Sequence, residues 1–148
     1  MRFVTTLMGY ALIVGILVIA GVYLNKFPPP SQLGDINGDG FDELGASVWR
    51  KANFGSSKPF WVEVNDTSYK NHFYVYEKKN GSFKPLWMSS NLEEPNCWFK
   101  FFDIDNDKKD ELVVGEGSYV DQPMCKVYKI GIWDWSGWGF FKQAEIRF

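Results

Sequence analysis

A short acidic motif occurs twice in the chain, and it limits the fold more than any other feature. The first copy is DINGDGFDEL (Asp35–Leu44), and the second is DIDNDKKDEL (Asp103–Leu112). Both copies place oxygen-bearing side chains at alternate positions and then run into β-type sequence. Carboxylates this close repel one another strongly unless a cation lies between them. The repeat therefore predicts that one cation-binding loop geometry is formed twice.

Calcium is the cation that fits these loops, because it is a hard ion that takes six to eight oxygen ligands at about 2.3–2.6 Å. Side-chain oxygens are expected at positions one, three, five and nine of each loop, and a backbone carbonyl at position seven. Asp42 and Asp110, at position eight, are predicted not to be ligands. The predicted ligands for one or two Ca²⁺ ions are Asp35, Asn37, Asp39, the carbonyl of Phe41 and Glu43 in the first loop, and Asp103, Asp105, Asp107, the carbonyl of Lys109 and Glu111 in the second.

An EF-hand is excluded, because it needs a glutamate at position twelve and a helix on each side, whereas Ala46 and Val114 stand at that position. The loops instead resemble the FG-GAP or VCBS repeat of integrin-type β-propellers, in which such a loop crosses between two strands of a blade. The resemblance implies two calcium-binding blades and a role in binding or adhesion. Gly40 keeps the family's glycine at position six, whereas Lys108 replaces it in the second loop. The first loop is therefore predicted to be the more secure metal site.

The rest of the chain predicts an all-β domain over residues 35–148, built from two repeats of about 35–95 and 96–148. It contains no amphipathic helix pattern, and Asn80-Gly81 and Ser136-Gly137 predict hairpin turns. A closed propeller takes about four to eight blades. We therefore expect either a small β-sandwich, in which the two blades pack face to face, or an incomplete propeller whose open edges associate with copies of the chain or with an envelope partner. Strands are predicted over 60–64, 72–78, 82–88, 97–104, 111–117, 125–135 and 139–146.

Residues 1–25 are predicted to be a transmembrane helix. No side chain from Phe3 to Asn25 is charged, and the apolar run is close to the roughly 20 residues that span a bilayer. A signal anchor is favoured because the run continues past Ala20, and the alternative is a signal peptide cleaved before Gly21. Either segment exports the domain, which stays anchored in the periplasm or at the cell surface if the segment is kept and is secreted if the segment is cleaved. Residues 26–34 contain three consecutive prolines and predict an extended linker.

The charge and the reactive side chains exclude several functions. The formal net charge is −2 and no basic stripe is present, so nucleic acid is not a predicted partner. His72 is the only histidine, and carboxylates that bind one ion are not free for acid–base catalysis. We therefore predict no enzyme. Cys97 and Cys125, both in the exported part, predict either a disulfide or two buried thiols.

The seven tryptophans have two interpretations, since large aromatic side chains fill small cores and also stack on sugars. Alternation places Trp133 and Trp135 on one face, which favours the core, whereas Trp138 follows the turn and is predicted to be exposed and ligand-facing. We predict a membrane-anchored, extracytoplasmic calcium-binding module that binds a protein or glycan. The alternative is a structural subunit of an envelope assembly, in a pilin-like version if Gly9-Tyr10 is a processing site, with calcium only stiffening the fold.

Overall fold

The structure, a computed structural model, describes residues 30–51, 60–61, 63, 68–121 and 125–148. This part of the chain is all-β, as predicted, with a single short 3-10 turn at Tyr119–Asp121. The predicted membrane segment lies outside the described residues, and within them no helix has the length and apolarity to cross a bilayer. The strands are β1 (Ser31–Gly34), β2 (Glu43–Lys51), β3 (Tyr69–Lys79), β4 (Ser82–Met88), β5 (Asn96–Phe102), β6 (Glu111–Gly117), β7 (Val127–Trp135) and β8 (Phe140–Arg147).

The strands form two four-stranded antiparallel sheets, each in simple sequential order. The first sheet is β1-β2-β3-β4 and the second is β5-β6-β7-β8. In each sheet the acidic motif is the loop between the first two strands, so the sequence repeat coincides with a repeat of topology. The predicted Asn80-Gly81 turn joins β3 to β4, and both residues have positive φ (53° and 78°), as a tight two-residue hairpin requires.

Three segments differ from the sequence predictions. No strand was predicted over β2 (Glu43–Lys51). Ser31–Gly34 was placed in the linker but forms β1, paired antiparallel with β2. The strand predicted over 60–64 is not seen at its described residues, since Phe60 and Trp61 lie in a turn and Glu63 in a bend. Phe60 is 94% exposed, and its ring instead packs edge-on against Trp61 at a centroid distance of 4.9 Å.

One aromatic core joins the two sheets. Phe73 of the first sheet lies 4.8 Å from Phe99 of the second, ring centroid to ring centroid, in an edge-to-face contact. Trp87 makes similar contacts with Trp135 at 6.4 Å and with Phe140 at 5.5 Å. Edge-to-face aromatic pairs each add about 0.5–1.5 kcal/mol beyond their buried area. The predicted assignment of Trp135 to the core is confirmed, because it is only 8% exposed.

The two sheets stack front to back. The face that the first sheet turns toward the shared core is not the equivalent of the face that the second sheet turns toward it. Gly45 and Val113 occupy equivalent positions of the repeat, and they pair with Val75 and Ile132 respectively. Val75 lies in the core shared by the sheets, whereas Val113 and Ile132 form a separate cluster. That cluster lies on the opposite face, since neighbouring Leu112 points into the shared core. Equivalent faces of the two sheets therefore point in the same direction.

Two glycines of the second sheet make room for a bulky neighbour, one for an indole ring and one for a disulfide. The indole of Trp98 lies flat across Gly115, where a β-carbon would collide with it. Trp98 thus shields the cluster on the back of the sheet. Cys97 and Cys125 are joined by a disulfide that ties β5 to the start of β7. Gly117 lies under the sulfur atoms, so a larger residue there would displace the bridge.

Candidate metal centre

The two acidic loops share a set of internal hydrogen bonds. At position one, the Asp35 carboxylate accepts hydrogen bonds from the backbone N–H groups of Asp39 (3.2 Å) and Gly40 (2.8 Å). The Asp103 carboxylate likewise accepts from Asp107 and Lys108, both at 3.1 Å. Positions three and five repeat the pattern in both loops. The loops are therefore copies in structure as well as in sequence.

The backbone takes positive φ at positions four and six of both loops. Glycine occupies these positions in the first loop, where Gly38 and Gly40 have φ of 74° and 85°. In the second loop, Asn106 and Lys108 have φ of 64° and 73°. A residue with a β-carbon is disfavoured in this region by about 1–2 kcal/mol, and asparagine tolerates it better than lysine. The second loop therefore holds strain at Lys108 that the first loop avoids.

The glutamates at position nine are buried beneath the loops. Glu43 and Glu111 are 3% and 5% exposed. One carboxylate oxygen of each accepts a hydrogen bond from the backbone N–H at position two, Ile36 (3.2 Å) or Ile104 (2.7 Å). Burial is the main reason that the pKa of each carboxyl is raised to about 7, and neighbouring aspartates raise it further. A bound cation would stabilise such a carboxylate in its charged form, because burial and the neighbouring negative charges both disfavour that form.

The second loop brings three carboxylates together. Oxygen atoms of Asp103, Asp105 and Glu111 all lie within 4.8 Å of one another. The second carboxylate oxygen of Glu111 accepts no hydrogen bond from the described residues, so it can bind an ion placed among the three. These residues suit a hard cation such as Ca²⁺ by their chemistry, because all three supply charged oxygen.

The first loop has an amide in place of one of these carboxylates. The positions equivalent to the cluster are Asp35, Asn37 and Glu43. Asn37 donates a hydrogen bond from Nδ2 to Glu43 Oε1 at 3.1 Å, and its Oδ1 accepts from the N–H of Asp39 at 2.8 Å. Both polar atoms of the amide are therefore used inside the loop. An incoming ion would have to replace the Asn37–Glu43 hydrogen bond.

The ranking of the two sites stays a prediction. The glycines made the first loop the more secure prediction, but the convergent carboxylate cluster among the described residues is in the second loop. Asp107 and Lys109 lie beside that cluster without joining it, and their side chains form an ion pair at 3.6 Å. Phe41 has an exposed side chain, which leaves its carbonyl as its only predicted contribution.

The two loops also touch each other, which the sequence did not predict. The backbone N–H of Asp35 donates to Oδ2 of Asp110 at 3.0 Å, and the N–H of Asp110 donates to the carbonyl of Asp35 at 2.8 Å. Gly38 packs against the side chain of Lys109, where a β-carbon would come within 2.7 Å of Cγ. The repeat places Asp42 and Asp110 at the same position, so sequence could not show that only Asp110 would face the other loop.

A cleft of about 430 Å³ opens between the sheets, beside β4 and β8. Its walls are mainly aromatic and aliphatic, with Trp87 and Leu92 on one side and Trp133 and Phe140 on the other, and its polar groups include Ser89 and Asn96. This combination of apolar walls and few polar groups is typical of ligand sites.

Charged side chains hold Trp133 in place at the cleft. Its Nε1–H donates to Glu116 Oε1 at 3.2 Å, and the Lys142 ammonium lies 4.6 Å from the ring centroid. Glu116 and Lys129 are both almost fully buried and form an ion pair at 2.9 Å. Trp133 is thus a fixed wall of the cleft.

Trp138 lies in the turn between β7 and β8 and is 83% exposed, which confirms the exposure predicted for it. His72 is 1% exposed and accepts a hydrogen bond from Arg50 Nε at 3.2 Å. Burial and the nearby Arg50 charge lower the pKa of His72.

No protein-family model, no curated protein and no solved structure matches this chain.

Proposed function

We propose that the chain is an extracytoplasmic, membrane-anchored calcium-binding module whose paired blades bind a protein or glycan ligand. The observation that carries the calcium part is the cluster of Asp103, Asp105 and buried Glu111, whose carboxylate oxygens lie within 4.8 Å of one another. The front-to-back stacking of the sheets supports the resemblance to FG-GAP blades, because successive blades of a propeller stack in this way. The anchor rests on the apolar sequence of residues 1–25.

Calcium acts as a structural ion in this proposal. Neutralising the cluster lets Glu111 remain buried in its charged form and stabilises the junction of β5 and β6. An affinity in the range of about 10⁻⁴–10⁻³ M is expected for an extracellular module. The ligand is assigned to the cleft between the sheets, where Trp87, Trp133 and Phe140 offer aromatic walls, with exposed Trp138 as a further contact.

Calcium binding is tested by unfolding the full chain in detergent micelles, with CaCl₂ or with EDTA. Calcium at about a hundred times its Kd should raise the free energy of unfolding by about 2.7 kcal/mol. The double variant Asp103→Ala, Asp105→Ala should lose most of this gain, whereas Glu93→Ala, which removes an exposed carboxylate outside the loops, should keep it. Identical unfolding curves with calcium and EDTA would reject the calcium part.

Ligand binding is tested by screening the full chain against glycan and peptide arrays in calcium. Any ligand found should bind at least about tenfold more weakly to Trp87→Ala, since aromatic anchors in clefts each contribute more than about 1.4 kcal/mol. Phe83→Ala, an exposed aromatic of the same strand, is the matched control. If no ligand binds and the chain co-purifies with an envelope complex, the structural-subunit alternative replaces the binding module.

A further inference from the structure

The contact between the acidic loops involves the predicted ligands themselves. Asp35 is the first ligand of the first loop, and both its N–H and its carbonyl are hydrogen-bonded to Asp110. Asp110 lies between Lys109 and Glu111, which supply the last two predicted ligands of the second loop. The distances of 3.0 and 2.8 Å are those of well-formed hydrogen bonds. One residue thus connects the end of one site to the beginning of the other.

We propose that Asp110 couples the two calcium sites, so that filling the second loop increases the affinity of the first. This inference rests on the proposed function, because it requires that both loops bind calcium. Asp110 is a positioning residue here and contacts no ion. The site that drives the coupling is the second loop, whose carboxylates already converge. One carboxylate oxygen of its buried Glu111 accepts no hydrogen bond from the part of the chain that the structure describes.

The direction of the coupling follows from the cost of ordering each loop. An ion in the second loop fixes the carbonyl of Lys109 and the carboxylate of Glu111, and therefore the backbone on both sides of Asp110. Asp110 then holds the backbone of Asp35 in the position that the first site needs. Since the first loop must also break its Asn37–Glu43 hydrogen bond to accept an ion, prior ordering of Asp35 removes part of its cost.

Repulsion between the two ions does not reverse this direction. The two loops carry nine carboxylates, which exceed the four positive charges of two calcium ions. The pair of sites therefore remains acidic when one ion is bound, and the second ion still enters a negative field. Coupling between binding sites in proteins is commonly about 5- to 150-fold in affinity, and the lower end of that range is expected here.

The repeat supplies a matched control for Asp110. Asp42 occupies the same position of the first loop and is exposed, and it makes no hydrogen bond to the second loop among the described residues. Removing Asp42 or Asp110 deletes the same carboxylate from the same place in the motif. Only the removal of Asp110 should change the coupling.

The experiment is calcium titration calorimetry on the full chain in detergent micelles. Disabling the second loop with Asp103→Ala and Asp105→Ala should weaken calcium binding at the first loop by about fivefold or more. The Asp110→Ala background keeps the backbone hydrogen bond to the Asp35 carbonyl but loses the carboxylate that accepts from the Asp35 N–H. If that carboxylate carries the coupling, the same disabling should change the first-loop affinity by less than about twofold. In an Asp42→Ala background the fivefold effect should persist, and Asp110→Asn, which keeps an acceptor oxygen, should retain it.

A second measurement needs no change at Asp110. With the first loop disabled by Asp39→Ala, calcium should still shift the NMR amide resonance of Asp35 by filling the second loop. Two sites that bind independently, a single binding site, or an unmoved Asp35 resonance would each overturn the coupling while leaving calcium binding intact. Coupling that survives Asp110→Ala would overturn the role of Asp110. Absence of any calcium binding would instead overturn the proposed function.

Discussion

At the scale of single residues, Lys108 is the position at which the second loop departs most clearly from the first, which has Gly40 there. Its φ of 73° is the conformation that glycine adopts freely and lysine does not. Lys108→Gly should therefore stabilise the metal-free chain by about 1 kcal/mol, measured by denaturant unfolding in EDTA. The matched exchange Gly40→Lys, at a φ of 85°, should destabilise it by a similar amount. A loss of stability in Lys108→Gly would contradict this account.

Asn71 is a second residue with a testable role, because both polar atoms of its side chain form hydrogen bonds. It is fully buried, and its Oδ1 accepts a hydrogen bond from the N–H of Asn96 at 2.9 Å while its Nδ2 donates to Ser47 Oγ at 2.9 Å. Its backbone N–H donates to the hydroxyl of Tyr119 at 3.0 Å. The side chain therefore links β2, β3 and β5 through hydrogen bonds inside the core.

Asn71→Ala should lower the free energy of unfolding by about 1–3 kcal/mol, because it leaves the part-buried N–H of Asn96 without its partner. Denaturant unfolding at constant calcium measures the change. Asn91→Ala removes an exposed asparagine from the segment after β4 and should change stability by less than about 0.5 kcal/mol. Similar losses in the two variants would show that the buried pairing is not the cause.

At the scale of elements, the disulfide holds the first strand of the second sheet against its centre. Cys97 and Cys125 are separated by 28 residues, and closing a loop of that size stabilises the fold by about 3.6 kcal/mol in the chain-entropy model. Cys97→Ser and Cys125→Ser should each lose about that amount. Reduction by dithiothreitol should reproduce the loss in the natural chain and leave the serine variants unchanged. A wild-type curve that ignores the reductant would contradict the expectation.

The elements that the sequence predicted correctly are those with strong local signals. Strands rich in Val, Ile and aromatic residues were found, and so was the Asn80-Gly81 turn, because its two positive φ values require those residues. β1 and β2 were missed as strands. β1 consists of Ser, Gln, Leu and Gly, and β2 contains Gly, Ala, Ser and Arg. These residues have weak β propensity, and their pairing is decided by the neighbouring strands.

The candidate site was predictable in outline for a similar reason. The alternating carboxylates identify the loop residues, since the chemistry needs those oxygens at that spacing. Which loop has its ligand oxygens better placed for an ion depends on how Asn37 orients its amide. The contact between Asp35 and Asp110 depends on how the sheets stack. Both are properties of tertiary packing, and neither leaves a signal in the repeat itself.

At the scale of the whole molecule, the front-to-back stacking explains why the acidic loops meet. If equivalent faces of the sheets faced each other, equivalent positions of the loops would be related by symmetry. Instead position one of the first loop meets position eight of the second. The stack ends at the second sheet, where Trp98 and Ile104 pack against the cluster of Val113, Ile130 and Ile132. Two of the three buried glutamates of the described residues, Glu43 and Glu111, therefore lie beneath the loops that meet at this junction.

The burial of these two glutamates predicts an unusual dependence of stability on pH. Glu43 and Glu111 have a pKa of about 7 in the fold, against an ordinary value of 4.5. Between about pH 4.5 and pH 7 the metal-free folded state therefore binds more protons than the unfolded state, so its free energy of unfolding falls as the pH rises. Glu94 and Glu145 have lowered pKa values, and their opposite effect lies below this window. The lowered pKa of His72 opposes the trend within the window, but one histidine offsets only part of the effect of two glutamates.

Calcium should reverse the trend, because the ion binds the ionised carboxylates and competes with their protons. Melting temperatures measured from about pH 5 to about pH 8 should fall with pH in EDTA, and the gain from calcium should grow over the same window. Glu111→Gln keeps the shape of the side chain but cannot ionise, so it should flatten the EDTA profile and reduce the gain from calcium. A calcium effect that is constant from pH 5 to pH 8 would show that these buried glutamates are not where the ion acts.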